Sequence, residues 1–162
     1  MTTPAFAPAF AMPMDTPIGP LVLGSDGDRL TGVWLPNDAR APRPSGPGAP
    51  AVLKDAAAQL EEYFARDRRD FDVPLGLAGT DFQKDVWAEL ACIPYGETIS
   101  YGELARRVGR PKGSRAVGQA NGRNPIAIIV PCHRVVAGDG IGGYGGGLPI
   151  KRALLALEGV ST

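Results

Sequence analysis

Two capping signatures, Thr80 with Gln83 and Ser100 with Glu103, dictate where the second half of this chain begins its helices. The first predicts a helix from Thr80 to about Cys92 that turns Phe82, Val86, Trp87 and Leu90 inward and stops before Pro94. The second opens a helix with Leu104, Ala105 and Val108 that Gly109 and Pro111 end. A third short helix is expected from about Gly113 to Ala120. Two short helices joined by Gly109-Arg110-Pro111-Lys112 have the outline of a helix-turn-helix. A last helix, opened by Pro149, is expected to bury Ala153, Leu154 and Leu157 and to end at Gly159.

The segment before Gly79 reads differently. Leu21–Leu23 and Leu30–Leu35 flank Gly24-Ser25-Asp26-Gly27-Asp28 as the two arms of a hairpin. Five prolines and two glycines between Pro36 and Pro50 exclude regular structure there. From Ala51 to Arg66, Leu53, Ala57, Leu60 and Phe64 recur at helical spacing, and Phe71, Val73, Leu75 and Leu77 alternate as in a strand that contains Pro74. Met1 to Met14 reads as a frayed or partly extended terminus without the pattern of a signal peptide. Two domains follow, 1–78 mixed α/β and 79–162 mainly helical.

Among 162 residues, two cysteines make no disulfide framework, and no apolar stretch approaches the roughly 20 residues of a membrane span. A cytoplasmic protein is expected. The 17 basic and 17 acidic residues cancel overall but not locally. Residues 1–78 carry 7 basic and 10 acidic side chains, and 79–162 carry 10 and 7. Between Ser100 and Arg134 stand Arg106, Arg107, Arg110, Lys112, Arg115, Arg123 and Arg134 against Glu103 alone, a patch suited to a polyanion.

Pro131-Cys132-His133-Arg134-Val135 joins one of the two cysteines to the only histidine, after the apolar run Ile126–Val130 that reads as a buried strand. An imidazole beside a thiol is the usual means of making the nucleophilic thiolate, and Arg134 adds favourable positive charge. In an extended chain, however, adjacent side chains point to opposite faces, so a turn or a bridging water must connect Cys132 with His133. The acid available to orient the imidazole is Glu158, the only one after Asp139. The glycine-rich stretch Gly138–Gly147, with Tyr144 inside it, allows backbone to approach a ligand closely. Cys92 reads as a core residue beside Leu90 and Ile93. A zinc site would need both cysteines, the histidine and a carboxylate to converge, so neither metal nor cofactor is expected.

The motif Pro131-Cys132-His133-Arg134-Val135 occurs here with Asn124-Pro125, Arg115-Ala116-Val117-Gly118, Ile93-Pro94-Tyr95-Gly96-Glu97-Thr98, Ser100-Tyr101-Gly102-Glu103, Tyr144-Gly145-Gly146-Gly147 and Leu155-Ala156-Leu157-Glu158-Gly159. In that order and spacing it resembles the O6-alkylguanine-DNA alkyltransferases of the bacterial single-site type, and Asp15–Leu21 resembles the start of those proteins. The resemblance implies a ribonuclease H-like N-terminal domain, a small antiparallel sheet with a helix, followed by a mainly helical domain with a winged-helix or helix-turn-helix-like DNA-binding motif.

It also implies DNA repair by stoichiometric transfer of the alkyl group from O6-alkylguanine in flipped-out nucleotides of duplex DNA, with O4-alkylthymine left open as a second substrate. Cys132 would accept the group in a single turnover and His133 would deprotonate it through a water. Glu158 would orient the imidazole, and Tyr101 would give a proton to the leaving guanine. Arg115 would replace the extruded base, and Ser114, Ala116 and Gly118 would let the helix lie close in the minor groove. Asn124 would hold the junction with the active-site strand, while Arg134, Val135, Tyr144, Gly145 and Gly146 would border the base and alkyl pocket. The partner would be lesion-containing duplex DNA bound by a monomer, with cooperativity along DNA left open. A non-repairing lesion sensor and a cysteine hydrolase are the alternatives.

Overall fold

A computed structural model of the chain describes residues 8–46 and 48–162. The described chain divides into two compact units, one running to Ala78 and including Pro125–Ala127, the other formed by Gly79–Asn124 with Ile128–Thr162.

In the first unit the expected hairpin is present as β2 (Leu21–Ser25) and β3 (Leu30–Trp34), paired antiparallel. A further strand, β1 (Phe10–Met14), lies antiparallel on β2 and gives the order β1-β2-β3. Of the frayed or partly extended terminus expected over Met1–Met14, Phe10–Met14 is the extended part, whereas residues 1–7 lie outside the described part. Pro13 fits because an edge strand has an outward side that needs no N–H donor. The same edge is covered from the proline-rich loop, where the Ser45 hydroxyl accepts from the Ala11 N–H at 2.9 Å and the Ser45 N–H donates to the Ala11 carbonyl at 2.9 Å. Gly24 and Gly32 lie under the Trp34 ring, and a Cβ on either would collide with it.

Helix α1 (Ala51–Phe64) packs on β2 and β3. Its buried stripe is Val52, Leu53, Ala56, Leu60 and Tyr63, so Ala57 and Phe64, expected inside, are displaced by their neighbours Ala56 and Tyr63. The sequence fits either stripe to a helical period, and the sheet chose the one that inserts the Tyr63 ring. With Leu21, Leu23, Leu30 and Val33 these residues form the core of the unit, each large aliphatic contributing about 1.5–3 kcal/mol by leaving water. The strand expected over Phe71–Leu77 is reduced to one parallel bridge, Leu30 with Leu75. Pro74 has no N–H, and the ladder survives only where its carbonyl accepts from Leu30 and the Gly76 N–H donates back, both at 2.8 Å.

The second unit begins with α2 (Asp81–Ala91), whose capping box is complete: Thr80 Oγ1 accepts from the Gln83 N–H at 3.1 Å, and Gln83 Oε1 accepts from the Thr80 N–H at 3.0 Å. Cys92 follows the helix and is exposed, not core, because the chain turns there and buries Ile93 instead. Strand β4 (Ile99–Ser100) leads into α3 (Tyr101–Arg107). Here the capping box is only half made. Ser100 accepts from the Glu103 N–H at 3.0 Å, but the Glu103 carboxylate turns away to Arg106 and Arg107. Helix α4 (Ser114–Gly122) packs on α2 and α3, and the buried Trp87 indole donates to the Ala120 carbonyl at 2.9 Å. The last helix, α5 (Leu148–Leu157), buries Lys151, Leu154 and Leu155, while Ala153 faces solvent and Leu157 is half-buried.

The segment Ile126–Val130 is not the expected strand. Only Ile126 makes a bridge, to Val33 within the first unit, and Ile128 then adopts a left-handed φ of 71° that breaks any extended run. A 3-10 turn at Cys132–Arg134 follows, and then the two-residue β5 (Val135–Val136), parallel to β4. Isoleucine-rich sequence favours extension, but the paired neighbours needed to continue a ladder are not supplied here.

Thr80→Ala removes one N-terminal cap from α2 and should lower stability by about 1 kcal/mol, read as a shift of the urea midpoint at unchanged slope.

Candidate active site

The reactive motif is built on a turn. Cys132 N–H donates to the Val130 carbonyl at 2.8 Å and Arg134 N–H to the Pro131 carbonyl at 3.0 Å. Cys132, His133 and Arg134 are all buried, and the tight turn sends their side chains in different directions. The Cys132 thiol donates to the hydroxyl of Tyr144, in the glycine-rich loop, at 3.6 Å. His133 points the other way, and its Nε2 lies 2.7 Å from Glu158 Oε2. The expected geometric obstacle is therefore real, since Cys132 and His133 are sequence neighbours held by different partners.

Glu158 follows α5 and is itself buried. Besides His133 it accepts from Arg134 Nε at 2.8 Å and Nη2 at 3.1 Å, and from the Gly96 N–H at 3.4 Å. Gly96 has a φ of +81°, and a Cβ there would stand 3.2 Å from the Glu158 carbonyl, which explains glycine after Pro94-Tyr95. Arg134 also donates to the Ile93 carbonyl at 2.6 Å and lies over the Tyr95 ring. Its guanidinium is thus spent inside the protein. Neither the expected contribution to the base pocket nor free positive charge for the thiol survives for this side chain, because Glu158 offsets it at contact distance.

A carboxylate can only accept, so His133 Nε2 carries the proton and Nδ1 is left with its lone pair. That Nδ1 is buried and has no hydrogen-bond partner among the described residues. Burial holds the His133 imidazolium well below its ordinary range, outweighing the support from Glu158, while Arg134 and Lys151 push in the same direction as burial. Burial likewise pushes the Cys132 thiol up, against opposing hydrogen bonds from Asn124, Tyr144 and its own backbone and the charge of Lys151. Both groups are neutral at pH 7. The charge of Arg134, read from the sequence as favouring thiolate, does not prevail at the thiol, where desolvation is the larger effect.

Asn124 donates from Nδ2 to the Val130 carbonyl at 2.7 Å, and so holds the segment before Pro131. Asn121, one turn earlier and not anticipated, donates to the Cys132 carbonyl at 3.3 Å, so two amides bracket the reactive residue. Tyr101 opens α3, and its hydroxyl donates to the Gly143 carbonyl at 3.4 Å. Burial, and then the nearby Cys132, raise the Tyr101 phenol, which keeps it protonated. Gly118 faces the Tyr101 ring, where an added Cβ would come to 3.7 Å. Val135 is buried in β5, Gly145 is exposed and Gly146 half-buried beside Tyr144.

Ser114, Arg115 and Ala116 are exposed together at the start of α4. Of the seven basic residues expected to form a patch, Arg134 is buried and Arg106 and Arg107 are paired with Glu103. Arg110, Lys112, Arg115 and Arg123 remain exposed, with Arg110 over the Phe82 ring. Among the described residues no cluster of histidine, cysteine and carboxylates could hold a metal, and no helix is long and apolar enough to cross a membrane.

The second unit thus carries a buried cysteine and histidine on one tight turn and an exposed basic start to α4. Residues 12–77 match the family model for the 6-O-methylguanine DNA methyltransferase ribonuclease-like domain, and residues 81–160 match the DNA binding domain of the same family. The chain belongs to the 6-O-methylguanine DNA methyltransferase family. The methylated-DNA-protein-cysteine methyltransferase of Mycobacterium tuberculosis is 52% identical over 147 residues, covering 90% of this chain and 89% of that protein. Its namesake from Methanosarcina acetivorans is 50% identical over 160 residues, with 90% and 95% covered. The crystal structure of Mycobacterium tuberculosis OGT in complex with DNA superposes with a TM-score of 0.82 at 52% identity, covering 90% of each chain. An O6-methylguanine DNA methyltransferase structure from Methanococcus jannaschii gives 0.65 at 28% identity, covering 93% of this chain and 95% of that one.

Glu158→Gln leaves the buried Arg134 without its counter-charge and should cost about 3–5 kcal/mol of unfolding free energy in urea titration at pH 7.

Proposed function

We propose that this protein repairs duplex DNA by moving the alkyl group of O6-alkylguanine onto Cys132, once per molecule. The observation that carries this reading is the buried Cys132 on one tight turn with His133, whose buried Nδ1 has no hydrogen-bond partner among the described residues and whose Nε2 is anchored on Glu158. Cys132 Sγ attacks the alkyl carbon, the carbon–O6 bond breaks, and its electron pair remains on the guanine. The thiol proton passes through a water to His133 Nδ1, and the imidazolium so formed lies against Glu158 at 2.7 Å. Tyr101 gives its proton to the departing guanine and is re-protonated at the expense of His133. The sum is thiol plus alkylguanine to thioether plus guanine. No resting thiolate is required, because charge develops only as the sulfur reacts.

The lesion must leave the base stack to reach a buried sulfur, at a cost of a few kcal/mol. Arg115 stands exposed at the start of α4 to fill the vacated space, with Ser114 and Ala116 exposed beside it and Gly118 small enough to keep α4 near Tyr101. The pair α3 and α4, linked by Val108–Gly113, reads as the helix-turn-helix of a winged-helix-like domain spanning 79–162, and 1–78 as a ribonuclease H-like domain. Arg110, Lys112 and Arg123 supply phosphate attraction without sequence preference. Asn124 holds the junction from α4 to the reactive turn, and Val135, Tyr144, Gly145 and Gly146 border the base and its alkyl group. The protein acts in the cytoplasm as a monomer, without a cofactor.

Intact-protein mass spectrometry after incubation with O6-methylguanine duplex should show one added methyl, located on the Cys132 peptide. Cys132→Ser should show none while still binding DNA, since an alcohol is far less acidic than a thiol. Unmodified wild-type protein bound to the lesion would make it a sensor, and repeated turnover of an acyl substrate a hydrolase.

Arg115→Ala should slow duplex repair by about tenfold or more, because only duplex requires extrusion, and should leave reaction with free O6-benzylguanine nearly unchanged. Equal losses in single-turnover assays on both substrates would give Arg115 another role.

A further inference from the structure

The buried residues of α4 are Val117, Ala120 and Asn121, and only the last has a polar side chain. Its Nδ2 donates to the Cys132 carbonyl at 3.3 Å, and that bond fixes which end of the amide is which. The other end, Oδ1, is buried and has no hydrogen-bond partner among the described residues. An apolar residue of the same size would fill the space without stranding an acceptor, so one long hydrogen bond is a poor return for burying an amide. Asparagine at this position calls for a second partner.

A second stranded acceptor belongs to the same stretch of backbone. The carbonyl that Asn121 holds is part of the peptide bond joining Cys132 to His133, and His133 Nδ1 is likewise buried and without a partner among the described residues. With Nε2 committed to Glu158, Nδ1 offers only a lone pair. Two acceptors cannot satisfy each other, because neither brings a hydrogen. A group with two donors and a lone pair to spare satisfies both, and water is the smallest such group.

We propose that Asn121 is a positioning residue for the alkyl transfer: its Oδ1 and His133 Nδ1 together hold the water that relays the Cys132 proton. The water donates one hydrogen to each acceptor, which leaves a lone pair on its oxygen for the Cys132 thiol. This rests on the reading of Cys132 as the alkyl acceptor and His133 as its base. The sulfur–carbon bond forms, the carbon–O6 bond breaks with its electron pair on guanine, and the thiol proton moves to the water oxygen. The hydrogen that the water held towards Nδ1 passes to the imidazole, so the water is restored, and the hydrogen on Oδ1 never moves. Held by His133 alone, the water could swing its lone pair away from the sulfur. A second fixed acceptor removes that freedom before the reaction begins.

The test has two arms. In the first, Asn121→Leu, which nearly keeps the volume and removes both ends of the amide, is compared with the unsubstituted protein in single-turnover methyl transfer from O6-methylguanine duplex between pH 6 and 10. The expected result is a loss of about tenfold or more at pH 7 with unchanged duplex affinity, shrinking towards pH 10 as hydroxide takes the thiol proton directly and the relay is bypassed. Tyr101, Tyr144 and Lys151 about the sulfur, and Glu158 and Arg134 about the imidazole, are common to both proteins, so their titration divides out of the ratio. A loss of equal size at every pH marks a displaced sulfur and overturns the proposal, as does an unchanged rate. The second arm needs no Asn121 variant: a high-resolution crystal structure of the unsubstituted protein should place one ordered water within about 3.2 Å of both Asn121 Oδ1 and His133 Nδ1. A water on one of these atoms alone, or on neither, overturns the proposal. Failure of the unsubstituted protein to transfer methyl at any pH would instead sink the alkyl-acceptor reading, which separates the two ideas.

Discussion

The Glu158 carboxylate is where the site holds together. It gathers four donors from two stretches of chain: His133 and two nitrogens of Arg134 from the reactive turn, and the Gly96 amide from the turn after α2. Because Glu158 directly follows α5, that helix, the Pro94–Gly96 turn and the reactive turn are locked together by a single group. A buried ion pair of this kind adds little net stability over an apolar substitute, but removing one partner strands a charge. Its value is orientational: it commits Nε2 of the imidazole and leaves Nδ1 as the acceptor.

That anchoring explains how a buried thiol and a buried imidazole can work without resting charge. Desolvation raises the thiol and lowers the imidazolium, so each neutral form is favoured and the pair waits uncharged. In the transfer we propose, charge separates only when the sulfur meets an alkyl carbon, and at that moment the Glu158 carboxylate stands behind the imidazolium. Fixed dipoles and charges placed in advance need no reorganisation during the reaction.

Much of this was legible in the chain. The Thr80 capping box, the hairpin, the unstructured proline-rich loop and the short helices after Gly79 follow from local chemistry, and local chemistry is what a sequence encodes most directly. The Cys132, His133 and Glu158 grouping was also readable, since one histidine and one late acid left few ways to complete it. The misreadings share a cause. Ile126–Val130 has strand composition but lacks ladder partners, Cys92 sits near apolar neighbours but falls where the chain turns outward, and Phe64 yields its buried place to Tyr63 because the sheet selects one of two equally periodic stripes. Arg134 looked like free charge because its partner lies 24 residues away.

By itself, then, the chain determined its capped helices, its breaks at proline and glycine, and the identity of its one thiol and imidazole pair, all properties of neighbouring residues. Tertiary structure alone decided which charges are spent and which remain active. Arg134 is cancelled by Glu158, while Lys151 is enclosed by carbonyls with no counter-ion among the described residues. The reason is physical: a charge takes its strength from burial and from the distance to its partner, and both are set by how distant segments pack.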